Sequence, residues 1–169
     1  MFKKFSFSKK LSKKEEIEEV LNDAAAMCDK LFRDELESLN IFDYEYVIKD
    51  AVDDLGLDED LVNQLLEDYV AQIIKSIDQF NEYIELLKDL KMNVSESDFI
   101  TLRELAHKNL GVARNLRIKD AEKLLYDLLK KDDLEHLSLC LKALEACAIK
   151  LKPECAYDTL YLIKIKNSF

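Results

Sequence analysis

Apolar side chains recur along most of this chain at intervals of three and four residues, the spacing that places them on one face of an α-helix. This pattern predicts six helices, over residues 12–39, 43–56, 58–87, 95–116, 121–129 and 134–151. Ser12, Asp43, Asp58 and Ser95 are favoured N-caps, and Pro153 is expected to stop the last helix. Residues 157–166 alternate weakly, which fits either a strand-like strap or a final turn of helix.

The connections between the later helices are short, and short connections make antiparallel neighbours. Two glycines, one proline and no tryptophan in 169 residues leave little material for turns between strands. We therefore predict an all-α fold, an antiparallel up-down bundle of four helices with a C-terminal extension over residues 41–169. Residues 1–40 are expected to form a basic tail and an accessory helix, which either covers the bundle or makes a dimer through residues 12–40.

Charge is unevenly distributed along the chain. Residues 1–14 carry six lysines and no acid, interleaved with phenylalanines, whereas the whole chain has a net charge of −10. We interpret this tail as a solvated end, in preference to a segment that contacts an anionic membrane or the acidic body of its own protein. The acidic body argues against nucleic acid as a partner. No apolar run is long enough for a signal peptide or a membrane span, so we expect a cytoplasmic protein.

The four cysteines, Cys28, Cys140, Cys147 and Cys155, contain no C-x-x-C pair. No histidine stands at a recognised ligand spacing from them, so neither a zinc site nor a redox motif is predicted, and no metal or cofactor is expected. Free, buried thiols are the preferred interpretation. His136, near the start of the last predicted helix, is interpreted as a surface residue.

Residues 103–114 contain the candidate functional residues of this sequence. It places His107, one of only two histidines, four residues ahead of Gly111 inside a helical pattern. Glycine in a helix interior costs about 1 kcal/mol relative to alanine, so we interpret Gly111 as clearance for a group that approaches the helix beside His107. Helical geometry predicts a stripe of residues on the face away from the core. These residues are Arg103, Glu104, His107, Gly111 and Arg114.

This segment also resembles a known family. It reads Leu-Ala-His-Lys-Asn-Leu-Gly-Val-Ala-Arg-Asn-Leu at 105–116 and is followed by Lys-Asp-Ala-Glu-Lys-Leu-Leu-Tyr-Asp-Leu at 119–128. Together they resemble the histidine phosphotransfer (HPt) domain family, whose members commonly show His-x-x-Lys-Gly. Gly-Leu-Asp-Glu-Asp-Leu at 56–61 resembles the lead-in to that family's long second helix. The resemblance covers the chain from about residue 43 to about residue 152, on the scale of a typical domain.

The resemblance implies a four-helix HPt-like fold and a cytoplasmic phosphoryl carrier of two-component signalling, without a nucleotide site. His107 would accept phosphate from an aspartyl phosphate on one receiver domain, as a phosphohistidine, and pass it to another, with Gly111 as the clearance residue. The implied partners are a response-regulator receiver domain, a hybrid histidine kinase or both. An imidazole near neutral pKa is a competent nucleophile for such a step, and the receiver is expected to bring the metal.

One position departs from the family pattern. The lysine expected three residues after the histidine is Leu110 here. Lys108 lies about 100° further around the helix and is a poor substitute. Arg103 and Arg114 lie on the correct stripe and either screen the phosphate or are ordinary solvated arginines. Asn109 is interpreted as a buried amide satisfied by a neighbouring helix.

Two functions remain open at this point. The first is an active phosphorelay carrier, in which Ile100 and Glu104 help to dock the receiver. The second is a degenerate HPt-like adaptor that binds a receiver or kinase without carrying phosphate, and Leu110 favours it. The pairing of His107 with Gly111 favours the carrier, because a non-transferring bundle gains nothing from a glycine inside that helix. A helical bundle unrelated to signalling is a third interpretation, and the matched lead-in and downstream helix argue against it.

Overall fold

The computed structural model describes residues 11–168, and this part of the chain is helical, without a strand. Within residues 11–168, seven α-helices are joined by short connections, except for two longer ones over 34–47 and 91–99 that contain turns of 3₁₀-helix. The helices are α1 (Lys13–Arg33), α2 (Ile48–Leu55), α3 (Glu59–Leu90), α4 (Ile100–Asn115), α5 (Lys119–Lys130), α6 (Leu134–Leu151) and α7 (Pro153–Asn167). The predicted all-α fold is confirmed.

The helices form a bundle around one hydrophobic core. Helix α4 packs against α5 and α3, and α6 packs against α3 and α5, while α7 lies on α3 and α6. The accessory helix α1 packs against α6 and α7, so it covers the bundle, one of the two roles that the sequence left open. Phe80, Leu102, Leu124 and Leu137, from four of these helices, are fully buried in the core.

Predicted caps fix several helix starts. The Ser12 hydroxyl accepts a hydrogen bond from the Glu15 amide at 3.2 Å, and the Asp58 carboxylate accepts one from the Leu61 amide at 2.8 Å. The Ser95 amide donates to the Asp98 carboxylate at 2.8 Å in a capping box, which starts the 3₁₀ turn Glu96–Phe99; α4 itself begins after this turn, at Ile100. These bonds satisfy amides that have no partner within their own helix.

The first helix is shorter than its apolar pattern suggests. It ends at Arg33, and the chain then turns so that the Leu36 amide donates to the Leu31 carbonyl at 2.8 Å. Leu36 is nevertheless fully buried. Periodicity alone could not separate a continuing helix from a turn that keeps the next leucine on the same side.

The second helix begins at Ile48, so the prediction that Asp43 caps it is wrong. Asp43 instead lies in a loop with a φ of 66°. The residues that follow Asp43 cross to the connection between α4 and α5. There the Tyr46 hydroxyl donates to the Leu116 carbonyl at 2.8 Å and the Tyr44 hydroxyl to the Arg117 carbonyl at 3.3 Å. These tertiary contacts hold the segment in a loop where its local sequence favoured a helix.

Pro153 ends the preceding helix as predicted, since α6 stops at Leu151. The chain then enters α7 with Pro153 as its first residue. Proline is tolerated there, since the first amides of a helix need no intrahelical acceptor. The C-terminal segment is therefore helical, and a strand-like strap is wrong.

Within residues 11–168, no helix is both long enough and apolar enough to cross a membrane. The lysine-rich tail was predicted over residues 1–14, and residues 1–10 lie outside the described residues.

Candidate functional site

His107 lies in the middle of α4 on the face directed away from the core, and it is exposed. The opposite face of the helix buries Leu102, Ala106, Leu110 and Ala113. The His107 side chain makes no hydrogen bond or ion pair within the part of the chain that the structure describes. Its imidazole is therefore presented to solvent, as the helical spacing predicted.

Gly111 lies one turn after His107 and is also exposed. A Cβ built on Gly111 would meet no neighbouring atom within 4 Å, so no packing contact among the described residues requires a glycine. Its φ is not positive, so the backbone does not require one either. What remains is a bare strip of helix beside the imidazole, open to a group from outside the chain.

A shallow groove of about 600 Å³ runs along the N-terminal half of α4 to His107. The structure brings Ile100, Arg103 and Glu104 together with His107 in the walls of this groove. The Ile100 side chain is 53% exposed, which is unusual for isoleucine and marks an apolar contact point beside the histidine. The predicted docking residues therefore share one continuous surface with the predicted acceptor.

Arg103, one turn before His107, is held in place by two neighbours. Its guanidinium pairs with Asp132 and lies over the Phe99 ring, with Cζ 4.9 Å from the ring centroid. The side chain is 26% exposed, and its buried Nε has no hydrogen-bond partner among the described residues. Arg103 is thus a fixed cation at the edge of the groove, with part of its charge already offset by Asp132.

The other predicted cations are placed less closely. Arg114 pairs with Glu122, with 3.3 Å between Nε and the carboxylate oxygen, and Lys108 is exposed without an ion pair among the described residues. Leu110 is 1% exposed, so its side chain supplies a core contact. In this chain, position 110 therefore cannot present a charge beside His107.

Asn109 is buried, as predicted, with 1% of its surface exposed. Its amide nitrogen donates to the Leu105 carbonyl at 2.9 Å and to the Ser76 hydroxyl of α3 at 3.4 Å. Ser76 in turn donates to the Gln72 carbonyl at 2.8 Å. The amide is satisfied partly by its own helix and partly by α3, which connects the back of α4 to the longest helix.

Sequence reasoning missed a polar cluster at the corner between α5 and α6. His136 Nε2 lies 2.7 Å from Asp127 Oδ2 and 3.5 Å from Cys140 Sγ. The interpretation of His136 as a surface residue is wrong, because its side chain is only 18% exposed. The statement that no histidine stands at ligand spacing from a cysteine is also wrong, since His136 and Cys140 are one helical turn apart. That spacing was the available signal, while Asp127 is brought in by the fold.

All four cysteines are free, as predicted, and three of them are buried, whereas Cys155 is half-buried. Cys28 and Cys147 meet inside the core with their sulfur atoms 3.9 Å apart. Burial raises the pKa of the Cys140 thiol to about 12, so this sulfur is protonated at neutral pH.

Comparisons with protein-family models, with curated proteins and with solved structures found no match.

Proposed function

We propose that this chain is a histidine phosphotransfer protein, which carries a phosphoryl group on His107 between receiver-domain aspartates in a two-component phosphorelay. The observation that carries the proposal is the exposed imidazole next to Gly111, a glycine that no contact and no backbone angle among the described residues explains. A helix that gives up about 1 kcal/mol at that position gains close access to its histidine.

The chemistry needs little from the chain itself. A lone pair on an imidazole nitrogen attacks the phosphorus of an aspartyl phosphate, the new N–P bond forms, and the carboxylate leaves with the electron pair of the broken O–P bond. The reverse step on a second receiver completes the relay. Phosphoryl transfer depends mainly on alignment and charge stabilisation, and a rigid helix within a packed bundle supplies the alignment.

Charge around the acceptor is provided by arginine in this proposal. Arg103 lies four residues from His107, about 6 Å along the helix axis, and Arg114 lies seven residues away, about 10 Å. Arg103 is nearer and is held by Asp132 and Phe99, so it is expected to contribute more to phosphate screening.

The direct test mixes the protein with a phosphorylated receiver domain and measures acid-labile phosphate on the chain. We expect transfer to the wild type and none to His107→Gln. His136→Gln is the matched control, because it removes the other histidine and should still accept phosphate. Transfer that persists in His107→Gln would refute the site.

The arginine contribution has its own test. We expect Arg103→Gln to slow transfer by about tenfold or more, a modest effect beside the losses seen when one charge-stabilising donor is removed from an active site. Lys108→Gln, on the same helix but off the stripe, should leave the rate unchanged. Equal transfer rates in the wild type, Arg103→Gln and Lys108→Gln would show that Arg103 does not assist phosphate transfer.

The alternative is a degenerate HPt-like adaptor, and the burial of Leu110 favours it. Such a protein would bind a receiver through the groove at Ile100 and Glu104 but take no phosphate. Calorimetric binding to a receiver, lost in Ile100→Asp, together with no phosphate on the wild type, would support the adaptor over the carrier.

A further inference from the structure

A second chemically distinctive cluster lies away from the α4 groove, where α5 turns into α6. Asp127, near the end of α5, is 4% exposed, and Cys140 on α6 is fully buried. His136, one turn before Cys140, reaches between them. One oxygen, one nitrogen and one sulfur atom from these side chains lie within 4.8 Å of one another.

A single nitrogen faces both neighbours. His136 Nε2 is 2.7 Å from the Asp127 carboxylate and 3.5 Å from the Cys140 sulfur. One imidazole nitrogen carries either a proton or a lone pair, so it makes one good hydrogen bond and leaves the other neighbour poorly satisfied. A cation placed among the three atoms would engage all of them at once.

We propose that Asp127, His136 and Cys140 form a zinc-binding site at the corner between α5 and α6. Carboxylate oxygen, imidazole nitrogen and thiolate sulfur are the usual ligands of zinc, and three protein ligands leave a fourth position for water. With the usual bond lengths, nitrogen and sulfur ligands of a tetrahedral zinc ion lie about 3.5 Å apart. The 3.5 Å between His136 Nε2 and Cys140 Sγ already has this value, whereas the 2.7 Å between His136 Nε2 and the Asp127 oxygen would lengthen by about 0.6 Å when both bind zinc.

The charges of the site balance. The Cys140 thiol loses its proton to solvent as the zinc–sulfur bond forms, and His136 binds through the Nε2 lone pair with its proton on Nδ1. One dication is then matched by the Asp127 carboxylate and the Cys140 thiolate. Lys131, whose Nζ lies 4.0 Å from the Asp127 carboxylate, is 54% exposed and free to turn toward solvent. The Asp133 carboxylate accepts from the His136 amide at 3.2 Å and fixes the first turn of α6.

Cobalt(II) is the probe for the test, because thiolate ligation gives it an ultraviolet charge-transfer band and tetrahedral geometry gives it strong visible bands. We expect the reduced full-length chain to show both with one equivalent of cobalt, and zinc to abolish them. Cys140→Ser should lose the charge-transfer band, and Cys155→Ser, the matched control at the half-buried cysteine, should keep it. No band in the wild type, or a band that survives in Cys140→Ser, would overturn the proposal.

A second variant guards against a folding defect at the buried cysteine. Asp127→Asn keeps the shape of the side chain and removes its charge, and far-ultraviolet circular dichroism checks that the helices are intact. We expect its cobalt affinity to fall by about 10- to 100-fold, the range that even outer-sphere changes produce at zinc sites. An unchanged cobalt affinity in Asp127→Asn would show that Asp127 is not a ligand of the site. Because phosphate transfer at His107 plays no part in these measurements, their failure leaves the proposed function untouched.

Discussion

Replacing Gly111 by alanine should stabilise the protein while impairing its proposed activity. The added methyl group meets no neighbouring atom within 4 Å, and the backbone there has no positive φ. The change therefore removes the helix penalty of glycine without a steric cost. We expect about 1 kcal/mol of added stability, or a melting temperature higher by about 2–4 °C for a chain of this size.

Gly56 provides the matched control, since it is the other glycine of the chain and its Cβ position is equally open. It differs in its φ of 65° at the C-terminal cap of α2. Alanine in that left-handed conformation costs about 1–2 kcal/mol. The same substitution should thus raise stability at Gly111 and lower it at Gly56, as measured by urea denaturation and thermal melting.

The functional half of the prediction uses the phosphotransfer assay. If Gly111 provides clearance beside His107, Gly111→Ala should accept phosphate more slowly although it is more stable, and Gly56→Ala should accept it at the wild-type rate at a temperature where it is folded. A Gly111→Ala protein that is less stable than the wild type would refute the reasoning, because the glycine would then serve the fold itself. Wild-type transfer by a more stable Gly111→Ala would refute the clearance role.

Three further predictions concern stability and thiol chemistry. Burial, with a smaller effect of Asp78, raises the pKa of Glu145 from 4.5 to about 7. The folded state favours the neutral form of Glu145, so the free energy of unfolding should fall as the pH rises from about 4.5 through 7. Measured by urea denaturation, the free energy of unfolding of Glu145→Gln should exceed that of the wild type by about 1–3 kcal/mol near pH 8 and match it near pH 4. Asp58→Ala should cost about 1 kcal/mol in the same assay, because it removes the acceptor for the Leu61 amide at the start of α3. Cys155 should react first with a thiol reagent under native conditions, since the other three cysteines are buried, and Cys155→Ser should abolish that fast phase.

Local sequence determined most of the helices. Apolar spacing located the bundle, and Ser12 and Asp58 marked helix starts because their caps act within one turn, whereas Ser95 marked the 3₁₀ turn that precedes α4. The same local reasoning failed at Asp43. There the hydroxyls of Tyr44 and Tyr46 bond to backbone carbonyls about 70 residues further on and hold the segment in a loop.

The α4 surface was also predictable in outline, because the position of a side chain around a helix follows from its number. That geometry placed His107 toward solvent, and the structure agrees. It could not show that Arg103 is paired with Asp132, which belongs to the connection after α5. The charge available at the groove depends on that contact.

The corner between α5 and α6 shows what only the tertiary structure decided. The sequence holds His136 and Cys140 one turn apart, but it gives no sign that Asp127 meets them. The turn between the two helices brings that carboxylate to within 2.7 Å of the imidazole. Helical periodicity fixes which residues share a face of one helix, whereas contacts between helices depend on how their faces pack, and no single segment of the chain specifies that packing.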